Sequence, residues 1–260
     1  MKTPIVTLTT DWGDSGFFAG MVKGTLYSLI DEVQVVDITH RLEAFNIMTA
    51  TFVVRQACTG FPEGTIHIID VATRQPFLCV KAFGQYYLCC DNGLPAMVFG
   101  DNIEDAVLLK VQDNGVYNFA AHTVFARAAA MLARGASLSE LGERPSQLLQ
   151  RSLPNYILQD DVYRIYVRYI DTYGNAYLGM TYREFETLRA GRPFVLSVRE
   201  QEVTELMTGY YQQHTVADPR RRLRLTVSAT GLLELAVKES SLAQLVGLRV
   251  NDSVLLRFKQ

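Results

Sequence analysis

The chain has 260 residues, 48% of them hydrophobic and 20% charged, and its formal net charge is −2. It is therefore long enough to bury one large or two modest cores, and its near-neutral charge excludes the basic surface typical of a nucleic-acid-binding protein. No apolar run reaches the roughly 18 residues of a membrane span, and residues 1–4 lead into a predicted strand and not into the apolar region of a signal peptide, so we expect a soluble, cytoplasmic protein without membrane partners.

Short β-rich runs alternate with longer amphipathic runs up to residue 135. The predicted strands cover residues 5–10, 33–38, 65–71, 77–80, 86–90 and 106–111, and the predicted helices cover residues 18–30, 47–61 and 123–134. Strands that alternate with helices are typical of parallel pairing through helical crossovers. We therefore predict an α/β N-terminal domain with a mainly parallel sheet over residues 1–150.

The four cysteines, Cys58, Cys79, Cys89 and Cys90, all lie inside apolar runs. Neighbouring positions such as Cys89 and Cys90 point to opposite faces of a strand. We therefore expect reduced core thiols and neither disulfides nor a metal site.

The composition changes after residue 135. Residues 135–160 are rich in Ser, Pro, Gln and Arg, which predicts a linker with at most a short helix. The predicted strands that follow cover residues 162–170, 194–198, 223–228, 232–237 and 253–258. The basic cluster Arg220, Arg221 and Arg222 leads into an alternating segment and is interpreted as a solvated strand edge. We therefore predict an all-β C-terminal domain over residues 151–260.

Asp11 is the first candidate site residue, because it follows the buried run of residues 5–10 directly and precedes Gly13. Ligands of α/β proteins bind at the carboxyl ends of strands, where a carboxylate can accept hydrogen bonds from a ligand. The same residue type also caps helices and forms Asx turns. Both interpretations of Asp11 are open at the level of the local sequence.

An ordered set of short motifs extends over nearly the whole chain. These are TTDWG at residues 9–13, GMVKG at 20–24, DITH at 37–40, FPEGTIH at 61–67, DNGL at 91–94, DTYGN at 171–175, GLLELAV at 231–237 and SLA at 241–243. In this order they resemble the S-adenosylmethionine hydroxide adenosyltransferases, a family related to the fluorinase and chlorinase enzymes. The resemblance implies an α/β nucleoside-binding domain, an all-β, barrel-like C-terminal domain and a homotrimer. It also implies that the C-terminal domain completes the site across a subunit interface.

The resemblance also implies substrate-binding residues. In the N-terminal domain, Asp11 would hold the ribose diol, Phe45 would lie near the sulfonium, and Thr73 matches part of the substrate loop of the halogenases. An alternative for Phe45 is an apolar residue that packs under its loop. No cofactor is implied, because S-adenosylmethionine itself is the substrate.

In the C-terminal domain, the resemblance implies that Asp171 and Asn175 contact polar groups of the substrate and that Tyr177 forms an aromatic wall. The alternative for residues 171–175 is a tight turn, since Asp and Gly-Asn are favoured turn residues.

The residues expected to activate water depart from the family pattern. Hydrolytic members share a loop Asp-Pro-Gly-Val-Gly-Thr-x-Arg, which here is the shorter DVATR of residues 70–74, with Asp70 and Arg74 kept and both glycines lost. Ala120 takes the place of the family histidine, and His122 stands two positions further on. We therefore predict Asp70, Arg74 and His122 as catalytic residues. The alternatives are an ion pair between Asp70 and Arg74, and a capping or surface role for His122.

Two classes of function follow. The first is an enzyme that hydrolyses S-adenosylmethionine to adenosine and methionine, by attack of activated water at the ribose C5′. The second is a non-catalytic trimeric protein that binds adenosine or S-adenosylmethionine. Halide transfer is a third, less supported possibility, since only Ala72 and Thr73 match the halogenase loop. We favour the enzyme, because a sulfonium needs little activation as a leaving group.

Overall fold

The computed structural model describes residues 2–111, 119–152, 154–207 and 223–259. The chain divides into two units, Met1–Ser152 and Leu153–Gln260. The predicted solvated edge at Arg220, Arg221 and Arg222 lies outside the described residues. Within the described part of the chain, no helix is both long and apolar enough to cross a membrane.

The first unit alternates strands and helices over most of its length. Its elements are β1 (Ile5–Thr10), α1 (Phe18–Leu29), β2 (Gln34–Thr39), α2 (Ile47–Ala57), β3 (Ile66–Asp70), β4 (Phe77–Ala82), β5 (Gln85–Cys90), α3 (Leu94–Phe99), β6 (Ile103–Leu109), α4 (Ala126–Ala133), α5 (Leu138–Leu141) and β7 (Gly142–Glu143). A π-helical turn, Ala121–Phe125, leads into α4.

The sheet of the first unit is mixed, so the prediction of a mainly parallel sheet is not confirmed. Its strand order is β2-β1-β3-β5-β4-β6-β7. The pairs β1–β2, β1–β3 and β3–β5 are parallel, whereas β4–β5, β4–β6 and β6–β7 are antiparallel. The reversal occurs because only Phe83 and Gly84, both with positive φ, connect β4 to β5, and a two-residue connection joins antiparallel strands.

Helices cover both faces of this sheet. One core cluster joins β1 to residues of α1 and α4, such as Val22 and Ala129, and a second cluster joins β4 to residues of α2 and α3, such as Val54 and Val98. Within β3, Ile68 belongs to the first cluster and Ile69 to the second, as the alternation of side chains along a strand requires. All four cysteines are buried and free, as predicted.

The second unit is built on a nine-stranded sheet that curls into a half-barrel. Its elements are β8 (Tyr156–Gln159), β9 (Val162–Ile170), β10 (Ala176–Thr181), α6 (Tyr182–Arg189), β11 (Phe194–Val198), β12 (Gln201–Val203), β13 (Leu206–Met207), β14 (Leu223–Val227), β15 (Leu232–Val237), α7 (Leu242–Val246) and β16 (Ser253–Phe258). The strand order is β12-β11-β16-β9-β10-β15-β14-β13, and β8 pairs with β9.

Two predictions for this half of the chain are wrong. The unit is not all-β, because it also contains the helices α6 and α7. A capping box stabilises the start of α6: the Thr181 hydroxyl accepts from the N–H of Glu184, and the Glu184 carboxylate accepts from the N–H of Thr181. The segment of residues 135–160 is not a linker, since it forms α5 and β7 in the first unit and β8 in the second. Both of its strands extend existing sheets by pairing with β6 and β9.

A buried polar network centred on His67 connects three neighbouring strands of the first unit, β1, β3 and β5. Its Nδ1 lies 2.7 Å from the hydroxyl of Thr7, and its Nε2 lies 3.2 Å from Oε1 of Gln85. The amide nitrogen of Gln85 donates to the carbonyl of Phe61, so the oxygen Oε1 faces His67 as an acceptor, and it also accepts the hydroxyl of Tyr87. The proton of neutral His67 therefore lies on Nε2. Burial lowers the pKa of His67 to about 4, although the hydrogen bond to Gln85 opposes the shift.

We expect His67 to make the protein less stable in acid. Its pKa of about 4 lies below its ordinary value of 6.5, so the unfolded chain binds more protons between these values. The contribution of neutral His67 to the free energy of unfolding is fully present above pH 6.5. It is lost as the pH falls from 6.5 through 4, and the total loss is about 3 kcal/mol. Urea unfolding at a series of pH values measures this loss, which should disappear in His67→Gln and persist in the control His122→Gln. An unchanged pH dependence in His67→Gln would contradict the assignment.

Candidate active site

Asp70 occupies the last position of β3, where it is paired in register with Thr10 of β1. Its side chain therefore lies at the carboxyl end of two adjacent parallel strands, beyond which the sheet no longer supplies backbone partners. Only 5% of the residue is exposed. The apolar run Ile66–Ile69 brings the carboxylate to this position, because each of these residues except His67 packs into one of the two cores.

Each oxygen of the Asp70 carboxylate accepts a hydrogen bond. The indole N–H of Trp12 donates to Oδ2 at 3.0 Å, and the hydroxyl of Thr73 donates to Oδ1. Burial raises the pKa of Asp70, and the nearby charge of Asp11 adds to the increase, while the two donors oppose it. The result is a carboxylate of raised basicity held in one orientation.

Asp11 lies immediately after β1 and connects that strand end to the loop before α2. Its Oδ2 accepts the backbone N–H of Phe45 at 2.8 Å. It does not cap the following helix, because α1 has Phe17 at its N-cap and no side-chain capping bond. The interpretation of Asp11 as a helix cap is therefore wrong, and the bond to Phe45 places it beside the opening described next.

A cleft of about 650 Å³ opens beside these residues. It is lined by Glu43, Ala44, Phe45, Asn46, Ile47, Met48, Ala72, Thr73, Arg74, Asn92 and Arg151. Three of the predicted site residues, Phe45, Thr73 and Arg74, are thus brought together. Thr73 both lines the cleft and donates to Asp70, so it connects the cleft to the buried carboxylate.

Phe45 and Ala72 both have positive φ, 63° and 49°, and lie on this cleft. Phe45 is 78% exposed, so the alternative that its ring packs under the loop is wrong. Non-glycine residues in this conformation are uncommon and concentrate at functional sites. The loop before α2 is held in place by Asn46, whose side chain caps α2 by accepting from the N–H groups of Met48 and Thr49 at 3.1 Å.

Arg74 lines the cleft and is exposed. The alternative of an ion pair with Asp70 is wrong, because no such contact occurs between these two described residues. Arg74 and Arg151 form no ion pair with any carboxylate in the described ranges. Both guanidinium groups are therefore available to an anion or to the oxygen of a polar ligand.

His122 belongs to the π-helical turn and is not among the residues that line the cleft. Its backbone N–H donates to the carbonyl of Phe119, and its side chain does not cap the turn. The capping alternative for its side chain is therefore wrong. Its catalytic role stays a prediction.

Three residues of this region were not predicted as site residues from the sequence: Trp12, Asn92 and Arg151. Asn92 is buried, donates to the carbonyl of Val71 at 3.2 Å and accepts the N–H of Leu94 at 3.0 Å, which holds the cleft loop to the start of α3. Trp12 was signalled only by its position next to Asp11. Nothing in the local sequence pointed to Arg151, which packs on Gly93, where an added Cβ would lie 2.7 Å from the arginine side chain.

In the second unit, Asp171 and Asn175 form the turn between β9 and β10. Oδ1 of Asp171 accepts the N–H groups of Tyr173 at 3.0 Å and Asn175 at 2.8 Å, and Oδ2 accepts from the Asn175 side chain at 3.2 Å. These residues therefore form the expected turn, and their contacts with substrate stay a prediction. The turn packs closely on the start of α7, since a Cβ at Gly174 would clash with the side chain of the N-cap residue Ser241.

Tyr177 follows this turn in β10 and is paired in register with Tyr169 and with Glu234. The rings of Tyr169 and Tyr177 meet edge to face at 5.8 Å. Burial raises the pKa of Tyr177 to about 12 and that of Glu234 to about 7, and nearby Asp171 adds to both increases. The structure thus places Tyr177 and Asp171 near a buried acid, Glu234, that the sequence interpretation missed.

Comparisons with known proteins place the chain in one family over most of its length. Residues 6–142 match the family model described as SAM hydroxide adenosyltransferase N-terminal domain, and residues 165–255 match the model of the corresponding C-terminal domain.

Individual relatives agree with this match. The chain is 27% identical over 263 residues to the (R)-S-adenosyl-L-methionine hydrolase of Salinispora tropica, covering 96% of each protein. It is 26% identical over 266 residues to the protein of the same name from Salinispora arenicola, covering 97% of each. The crystal structure of a conserved protein from Thermotoga maritima is 22% identical, with a TM-score of 0.83 over 97% of this chain and 99% of that one, and has the same fold.

We expect Asp171→Ala to destabilise the second unit. The substitution removes the acceptor of two backbone N–H groups and one amide N–H, and such a loss costs about 1–3 kcal/mol. Denaturant unfolding measures the change, with the exposed carboxylate variant Glu200→Ala as a matched control that should differ from the wild type by less than about 0.5 kcal/mol. Equal stability of the two variants would show that the turn does not depend on Asp171.

Proposed function

We propose that the chain, which belongs to the SAM hydroxide adenosyltransferase family, hydrolyses S-adenosylmethionine to adenosine and methionine. The observation that carries this proposal is that both family domain models match, in order, over residues 6–142 and 165–255. The names of the two Salinispora relatives support the same reaction. The alternative of a non-catalytic adenosine- or S-adenosylmethionine-binding protein is not better supported.

The chemistry asks mainly for positioning of a nucleophile. The oxygen of a water molecule forms a bond to C5′ of the ribose while the bond from C5′ to sulfur breaks, and methionine leaves with the electron pair as a neutral thioether. The cationic sulfonium is already a good leaving group, so no acid is needed on that side. The water must lose one proton, and the site must stabilise the hydroxide that develops. No cofactor enters this reaction.

Asp70 suits the role of proton acceptor. It is buried, its basicity is raised by burial, and both oxygens are held by neutral donors that cannot protonate it. A base with a raised pKa accepts a proton from water more readily than an exposed carboxylate does. Arg74 would stabilise the developing hydroxide from the cleft, where it has no ion-pair partner among the described residues.

The substrate-binding roles are proposals of the same kind. Asp11 would accept from the ribose hydroxyls, since the bond to Phe45 occupies one lone pair of its carboxylate. The exposed ring of Phe45 on the cleft would lie against the cationic sulfonium. In the second unit, we assign substrate contacts to Asp171, Asn175 and Tyr177.

We also propose a homotrimer located in the cytoplasm. The trimer and the location are proposed from the family resemblance. The nucleoside-binding role of residues 1–150 is proposed from the same resemblance and from the position of Asp11 and Asp70 at strand ends. The names of the relatives further suggest the epimer of the substrate, (R)-S-adenosyl-L-methionine.

Hydrolysis in water enriched in ¹⁸O tests the proposed reaction. The purified protein, given the R and the S epimer separately, should form methionine and adenosine that carries ¹⁸O at its 5′ oxygen, because that oxygen comes from the attacking water. Mass spectrometry of the separated products measures the label, with a protein-free incubation as control. A halogenated nucleoside in chloride buffer would indicate halide transfer, and the absence of any nucleoside product would contradict the proposed function.

Two variants should separate binding from chemistry. Asp11→Ala removes the acceptor for the ribose diol and the bond to Phe45, so the affinity for adenosine measured by calorimetry should fall at least about tenfold. Arg74→Ala should retain adenosine affinity within about twofold and lose most of the turnover, because the guanidinium acts on the hydroxide. Unchanged affinity in Asp11→Ala would contradict the binding role, and unchanged turnover in Arg74→Ala would contradict the catalytic one.

A further inference from the structure

We propose that Trp12 is a positioning residue that holds the Asp70 carboxylate in the orientation in which it receives a proton from the attacking water. The proposal rests on the proposed function for its catalytic consequence, but the contact itself can be tested without turnover. Trp12 was not among the predicted site residues, and neither the family match nor the relatives' names assign it a role.

The hydrogen bonds at Asp70 restrict the carboxylate from two sides. The indole N–H reaches Oδ2 at 3.0 Å, and the hydroxyl of Thr73 reaches Oδ1. Rotation of the carboxylate about its Cβ–Cγ bond would break both bonds at once. Each oxygen retains a further lone pair that can accept a proton from water, and this lone pair lies in the plane of the carboxylate. Because the two donors fix that plane, they also fix the direction from which the proton is accepted.

The indole ring is itself held by packing. It stacks on His40 with 5.5 Å between ring centroids and 12° between planes, and its centroid lies 5.0 Å from that of Phe119. His40 is fixed by the hydroxyl of Thr10 at 2.7 Å from its Nδ1. Gly13 has a φ of +74° and donates its N–H to the carbonyl of His40 at 2.7 Å, which closes the turn that carries Trp12.

A neutral N–H donor has a particular effect on a buried base. It favours the ionised carboxylate by hydrogen bonding, and it carries no proton that can transfer to the carboxylate near neutral pH. Burial raises the pKa of Asp70, and Trp12 and Thr73 act against this increase. Loss of the indole N–H therefore leaves a carboxylate that is protonated at higher pH and is oriented by Thr73 alone.

A purely structural role is the competing explanation, in which the indole N–H merely finds an acceptor inside the unit. Trp12→Phe distinguishes the two, because phenylalanine keeps an aromatic ring against His40 and Phe119 but has no N–H donor. For a positioning role, kcat should fall about tenfold with KM within twofold. The acid limb of the pH profile of kcat should also move to higher pH.

The matched control is Phe18→Leu, which alters a ring 6.5 Å from Trp12 that has no polar contact with Asp70. Its kcat and pH profile should equal those of the wild type. Should Trp12→Phe fold poorly, incorporation of β-(3-benzothienyl)alanine at position 12 keeps the bicyclic shape and replaces N–H by sulfur. Wild-type kcat and an unmoved acid limb in a folded variant without the donor would overturn the proposal.

The contact can also be observed directly, since Trp12 is the chain's only tryptophan. The ¹H–¹⁵N spectrum therefore holds one indole signal, which should titrate with Asp70 and stop titrating in Asp70→Asn. Absence of that titration in the wild type would overturn the proposal. Wild-type protein without turnover but with a titrating indole would instead refute the proposed function and leave the contact between Trp12 and Asp70 established.

Discussion

The carboxylate of Asp70 is buried at the end of a central strand, and much of the first unit contributes to keeping it there. Burial of a carboxylate is costly unless hydrogen bonds offset it. Here the donors come from two different segments, the turn after β1 through Trp12 and the loop after β3 through Thr73. Because β1 and β3 are parallel neighbours, their carboxyl ends meet at one edge of the sheet, and this places Asp11 beside Asp70. The fold thus brings together the groups that the proposed chemistry uses.

The cleft and the buried Asp70 carboxylate differ in exposure and in charge. The cleft is open and carries two guanidinium groups, from Arg74 and Arg151, without carboxylate partners in the described ranges. The acid is buried and held by neutral donors. Thr73 is common to both, because it lines the cleft and donates to the Asp70 carboxylate. In the second unit, the Asp171 carboxylate holds its turn through three local hydrogen bonds.

Much of the fold followed from the sequence, and the errors have identifiable physical causes. Strands with dense β-branched and apolar residues, such as β1, β9 and β15, were predicted with their observed bounds. β10 was missed because it contains Gly179, where an added Cβ would lie 2.5 Å from the carbonyl oxygen of Asn155, a constraint visible only in three dimensions. The mixed sheet depends on the hairpin at Phe83 and Gly84. Among the site residues, Asp11 was indicated by its type and position and Asp70 by the resemblance to the hydrolytic loop of the family. The Trp12 contact with Asp70 joins residues 58 positions apart.

The most direct test of this account is the rate of S-adenosylmethionine cleavage by Asp70→Asn, measured by chromatography of adenosine and methionine. The matched control is Asp105→Asn, a carboxylate of the same unit that pairs with Arg144 at 2.9 Å and does not line the cleft. If Asp70 is the base, kcat falls at least about a hundredfold in Asp70→Asn, with S-adenosylmethionine still bound, and stays near the wild-type value in Asp105→Asn. A wild-type rate in Asp70→Asn would contradict the account.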